Sequence, residues 1–150
     1  MREVSQIING KRIIVKKPEL LAPAGNLEKL KVAILYGADA VFIGGKEFSL
    51  RSSASNFSLD EEAVEFAHAH HAAIHVTCNI ILHEDNLEGL EDYLLKLDEI
   101  GVDAIIVADP YIMSLAKKLN LKLEVHVSTQ LSTMNTSAIH FYENLSCCFC

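Results

Sequence analysis

DAVFIGG (39–45), AIHVTCN (73–79) and DAIIVADP (103–110) decide how this chain is read. Each is a short, unbroken apolar run rich in Val, Ile and Ala that ends in small or polar residues. Strands that alternate apolar and polar residues keep one face in water. Unbroken runs imply burial on both faces, and so a parallel sheet covered by helices. ELLAPAG (19–25) before them and LEVHVSTQ (123–130) after them follow the same plan. Helical periodicity fills the gaps. Asn26 is placed to cap LEKLKVAILYG, with Leu27, Leu30, Ala33 and Ile34 on one stripe and Gly37 at its end. Ser58 caps LDEEAVEFAHAHH, with Asp60, Glu61 and Glu62 at the positive end of the helix dipole. HEDNLEGLEDYLLKLDEIG carries Leu87, Leu90, Leu94 and Leu97 on one face and stops at Gly101. Pro110 opens PYIMSLAKKLN at a first-turn position, where its missing N–H costs little.

The fold class expected from this alternation is α/β: an incomplete (β/α) TIM-type barrel of about five strand-helix units in sequential order. A doubly wound sheet with reversed strand order is the competitor. Three regions follow. Residues 1–17 form an N-terminal hairpin extension, because Asn9-Gly10 between two β-branched runs is a strong turn signal. Lys11, Arg12, Lys16 and Lys17 make that hairpin either a cap beneath the sheet or a basic clamp. Residues 18–145 are the barrel portion, and SCCFC (146–150) is an aberrant Cys-rich tail.

Composition narrows the function classes. Absence of Trp and a low aromatic share argue against a base-stacking platform for single strands. A net charge of −7 argues against a surface built wholly for polyanions, though a local basic rim remains compatible with RNA. No apolar run approaches a membrane span, and the N-terminus lacks a signal peptide's apolar core, so the expected location is the cytoplasm. The four cysteines there read as free thiols or ligands rather than a disulfide frame. GxSxG, P-loop, GxGxxG and HExxH patterns are absent, which removes the main sequence support for the corresponding hydrolases, nucleotide binders and zinc proteases. His68, His70 and His71 sit near a helix end and fit solvation there better than a ligand set. Cys147 and Cys150 have C-x-x-C spacing without a second pair, and Cys78 sits in an apolar strand, so no metal site is expected.

Polar residues gather at the carboxyl ends of the strands, where barrels place their chemistry. Gly44 and Gly45 allow close backbone approach. KEFSLRSSASNF (46–57) is long for a loop in such a repeat, and Arg51 in it offers a planar fork for carboxylate or phosphate. Asn79, Ser128 and Gln130 could hydrogen-bond a small acid or a base edge. His126 and Asp109 are the candidate proton-handling residues, with Asp109 equally suited to capping the Pro110 helix.

PELLAPAGNLEKLKVAILYGADAVFIGG, the LR of FSLRSSASNFSLDE, VTCNIILHEDNLEGLEDYL, GVDAIIVADP and EVHVSTQLSTMN together resemble the N-terminal part of the collagenase-like peptidase family. That family includes the tRNA and ribosomal RNA hydroxylation proteins. The resemblance implies a barrel-type domain and, for full-length relatives, prephenate-dependent 5-hydroxylation of the tRNA wobble uridine with an iron–sulfur cluster. The alternatives it leaves are a collagenase-type protease acting on peptides and a non-catalytic remnant. No cofactor is expected in this chain itself. Where the family continues into another strand, this chain reads SCCFC, so a truncated member, inactive alone, is expected. An open sheet edge gives it reason to self-associate.

Overall fold

The computed structural model describes residues 3–8, 11–16, 18–45, 48, 61–84 and 87–149. Two strands, β1 (Glu3–Ile8) and β2 (Lys11–Lys16), pair antiparallel as a two-stranded sheet of their own. The expected turn at Asn9-Gly10 lies outside the described residues. From Leu21 the chain alternates: β3 (Leu21–Pro23), α1 (Leu27–Leu35), β4 (Ala40–Gly44), α2 (Glu61–Ala69), β5 (Ala73–Cys78), α3 (Leu90–Glu99), β6 (Ala104–Val107), α4 (Pro110–Leu119), β7 (Glu124–Val127), α5 (Thr136–Asn144) and β8 (Cys147–Phe149). All six strands from β3 onward pair in parallel, in the order β3-β4-β5-β6-β7-β8. Sequential order without reversal is the order of a (β/α) barrel and excludes the doubly wound competitor.

The sixth strand was not expected. Cys147–Phe149 joins the sheet, with His126 and Cys148 as register partners across β7 and β8. The segment read as an aberrant tail therefore continues the strand repeat. Cys-Cys-Phe carries no alternation of apolar and polar residues, but the edge of β7 offers it a ladder of backbone groups.

One face of the sheet meets the helices. Val41, Ile43, Ile74, Val76, Cys78, Ile105, Val107, Val125 and Val127 point to it and are buried against Leu30, Ile34, Val64, Leu90, Leu94, Ile112 and Met113. Helix ends follow the expected chemistry. Asn26 Oδ1 accepts from the Lys29 N–H at 2.8 Å, and Gly37 beyond α1 takes a φ of +100° that L-residues avoid. α3 is shorter than its sequence period: it starts at Leu90, so Leu87 lies before the helix. The proposed Ser58 cap is outside the described residues.

Two aspartates stitch neighbouring strands at their amino ends. The Leu20 N–H donates to Asp39 Oδ2 at 3.0 Å, tying the approach to β3 to the residue before β4. The Ile74 N–H donates to Asp103 Oδ2 at 2.8 Å, tying β5 to the residue before β6. Both aspartates sit in the same tetrapeptide frame, Gly37-Ala-Asp-Ala40 and Gly101-Val-Asp-Ala104.

Candidate functional site

At the carboxyl ends of the strands, the glycine pair closes on the protein itself. A Cβ at Gly45 would overlap the Tyr93 hydroxyl and lie 3.3 Å from the Thr77 carbonyl oxygen. Tyr93 hydrogen-bonds the Cys78 thiol and packs against Phe48 with ring centroids 5.0 Å apart. Gly45 is thus required for side-chain approach. Phe48 belongs to the long segment after β4; Arg51 lies outside the described residues.

Asp109 has the geometry of a cap. Its Oδ1 accepts from the Tyr111 N–H at 2.8 Å and its Oδ2 from the Leu82 N–H at 3.3 Å, so the carboxylate joins α4 to the segment after β5. Ser128 and Gln130 meet: the Gln130 N–H donates to Ser128 Oγ, and that hydroxyl donates to Gln130 Oε1, both at 3.3 Å. They open a 3-10 turn at Thr129–Leu131 directly after β7. Asn79 is half-buried just beyond β5.

His126 faces another way. Alternation puts His75, Thr77, Ile106, Glu124, His126 and Cys148 on the sheet face opposite the helices. His126 Nε2 lies 2.9 Å from Glu124 Oε2, and its ring meets that of His75 edge-on, centroids 4.9 Å apart. His75 is 3% exposed and its Nδ1 has no hydrogen-bond partner among the described residues. Burial, reinforced by His126, lowers its pKa below the ordinary 6.5. The two histidines line a cleft of about 630 Å³ whose wall includes Ala73, Ala104 and Glu124, the first residues of their strands. His126 therefore opens toward the amino-terminal end, while Asn79, Asp109, Ser128 and Gln130 gather at the carboxyl end. Sequence reasoning placed all of them at one mouth because it counted strand position alone. Glu124, His75 and Cys148 were missed as partners; β-alternation pairs Glu124 with His126, but Cys148 needed the unexpected strand.

His68 is more than a solvated helix end, since its Nε2 lies 3.0 Å from Asp103 Oδ2. Burial pushes the Cys78 thiol up to about 12 and the Cys147 thiol up to about 11. Both point into the helix-side core, whereas Cys148 is on the opposite face. The described thiols do not fit an iron–sulfur cluster, which needs several thiolates converging on one point.

Residues 25–148 match Peptidase family U32. The chain belongs to that family. Over 143 residues it is 56% identical to tRNA hydroxylation protein P1 of Bacillus subtilis, covering 94% of this chain and 34% of the relative. It is 42% identical to the 23S rRNA 5-hydroxycytidine C2501 synthase of Escherichia coli, covering 85% of this chain and 19% of that one. It is 38% identical to an uncharacterized protease of Methanocaldococcus jannaschii, covering 85% and 31%. Among solved structures it is similar to 7,8-dihydropteroate synthase from Vibrio fischeri, at 16% identity and a TM-score of 0.43, covering 95% of this chain and 60% of that one. The chain thus spans about a third or less of the length of these curated relatives. No helix among the described residues is long and apolar enough to cross a membrane.

Proposed function

We propose that this U32 chain serves as the N-terminal barrel portion of a cytoplasmic enzyme that hydroxylates a tRNA nucleoside. The observation that carries this reading is the 56% identity to tRNA hydroxylation protein P1 across 94% of the chain. The carboxyl-end groups suit a base or a small acid better than a scissile peptide. The Asn79 and Gln130 amides offer both donors and acceptors; Arg51, outside the described residues, would add a charged fork if its loop reaches them. The protease reading draws support from the archaeal relative's name. Against it, the Ser128 hydroxyl is engaged by Gln130, both Asp109 oxygens hold backbone N–H groups, and His126 is paired with Glu124. Such an arrangement supplies no nucleophile–base–acid relay among the described residues.

The cluster and prephenate belong to the proposal for the whole protein. The chain alone is expected to be inactive. A chimera joining it to the remainder of the Bacillus protein, expressed in a strain lacking tRNA hydroxylation, should restore 5-hydroxyuridine in digested tRNA measured by mass spectrometry. Unmodified tRNA together with cleavage of gelatin by the purified chimera would replace this reading with the hydrolase.

A further inference from the structure

We propose that Glu124, His126 and Cys148 form a three-ligand site for a zinc-class divalent cation, on the sheet face away from the helices, with His75 beside its open fourth position. One ligand atom from each of the three residues lies within 4.8 Å of the others. The fold itself creates the grouping: Glu124 and His126 are two apart on β7 and share a face, and the parallel register of β7 and β8 sets Cys148 beside His126. Tetrahedral zinc with bonds of roughly 2.05 Å holds neighbouring N and O ligands about 3.3 Å apart. His126 Nε2 and Glu124 Oε2, at 2.9 Å, need only a small spread to accept an ion between them.

The donor set selects the ion class. Thiolate and imidazole favour zinc-like metals, whereas magnesium and calcium take oxygen ligands. Three protein ligands with one vacancy is the pattern of zinc sites that bind water or substrate. An independent observation marks the vacancy's side. His75 is buried to 3% exposure, and its Nδ1 has no partner among the described residues, a condition native interiors rarely tolerate. Its ring is 4.9 Å from that of His126, and a metal-bound water can donate to that nitrogen. Access is also provided. Glu124 has a side chain 66% exposed, and among the described residues the cleft that it shares with both histidines is walled by Glu19, Asp98, Glu99 and Asp103 against one cation, Lys122. Carboxylates so placed raise the local concentration of cations. The site differs from the C-x-x-C pair in the sequence, because Cys147 is turned into the helix-side core.

Titrating the reduced, metal-free chain with cobalt(II) tests the assignment, since thiolate-to-cobalt charge transfer and four-coordinate d–d bands report the ligands without any activity. Saturation at one equivalent, with displacement by zinc, is expected. Cys148→Ser should abolish the charge-transfer band. Glu124→Gln, at an exposed position that leaves folding intact by circular dichroism, should weaken cobalt binding at least tenfold. Cys150→Ser should leave band and affinity unchanged. A wild-type chain without the band, a band that survives Cys148→Ser, affinity unmoved in Glu124→Gln, or loss of the band in Cys150→Ser would each overturn the proposal.

Discussion

Replacing Gly45 with Ala should be costly for one identifiable reason. The added methyl would occupy the space of the Tyr93 hydroxyl, while its other neighbours, the Thr77 carbonyl oxygen at 3.3 Å and Tyr93 Cζ at 3.4 Å, are only tight. Overpacking of this kind typically costs about 1–3 kcal/mol. Tyr93 cannot simply swing away, because its ring is held by Phe48 and its hydroxyl by the Cys78 thiol. In a Tyr93→Phe background the overlapping oxygen is gone. The same Gly45→Ala change should then cost less than ~1 kcal/mol, leaving a coupling energy of about 1–2 kcal/mol between the two sites. Tyr93→Phe alone should lose the weak hydrogen bond to sulfur, on the order of 0.5–1 kcal/mol. Urea unfolding of the four proteins, compared at constant m-value, measures the cycle. Equal costs in the two backgrounds would refute the steric account and leave close approach at Gly45 unexplained.

Stability should depend on His75 in acid. Its lowered pKa keeps the folded imidazole neutral, while the unfolded chain takes up a proton below about pH 6.5, so stability is full above that pH and declines beneath it. Urea midpoints for His75→Gln should fall less steeply than wild type between neutral pH and pH 5; parallel profiles would remove burial of this ring as a cause. Asp103→Ala should cost ~2–3 kcal/mol by stranding the Ile74 N–H, and Asp103→Asn, which keeps an acceptor, less than half as much. Thermal melts read that difference, and equal losses would place the effect in charge alone. With thiols pushed up to about 12 and 11, Cys78 and Cys147 should resist iodoacetamide at pH 8 in the folded chain and react in urea, whereas exposed Cys148 should label without denaturant. Peptide mass spectrometry reads all three, and fast labelling of Cys78 in the folded chain would contradict its burial.

Much of the architecture was legible because burial on both faces leaves a local mark. Val41 with Ile43, Ile74 with Val76, and Ile105 with Val107 are same-face pairs within the strands that the unbroken runs identify. Asn26, Gly37 and Asp109-Pro110 announce helix ends through chemistry that acts within a few residues. The sixth strand was not legible, since Cys147–Phe149 takes its conformation from the edge of β7. The site was legible only in composition. His126, Ser128 and Gln130 were read as neighbours at one strand end, yet Ser128 and Gln130 belong to one end of the sheet and His126 opens to the other. Direction along a strand depends on which neighbours take up each side chain, and Glu124 decides it for His126. The paired Gly-x-Asp-Ala frames were visible in the sequence and went unused, although they foretell the Asp39 and Asp103 ties.

Those two ties bear on the order in which the chain acquires its structure. Each links backbone that is close in sequence, 19 residues apart for Leu20 and Asp39 and 29 for Ile74 and Asp103. Every strand pairing from β3 onward is likewise to the next strand in the chain. Contacts of such modest separation are closed at small entropic cost, so each unit can dock on its predecessor as soon as it is synthesised. A nascent chain emerging from the ribosome would then grow its sheet by accretion at one advancing edge. Loss of Asp103 would delay the addition of β6 more than it would disturb the segments already laid down.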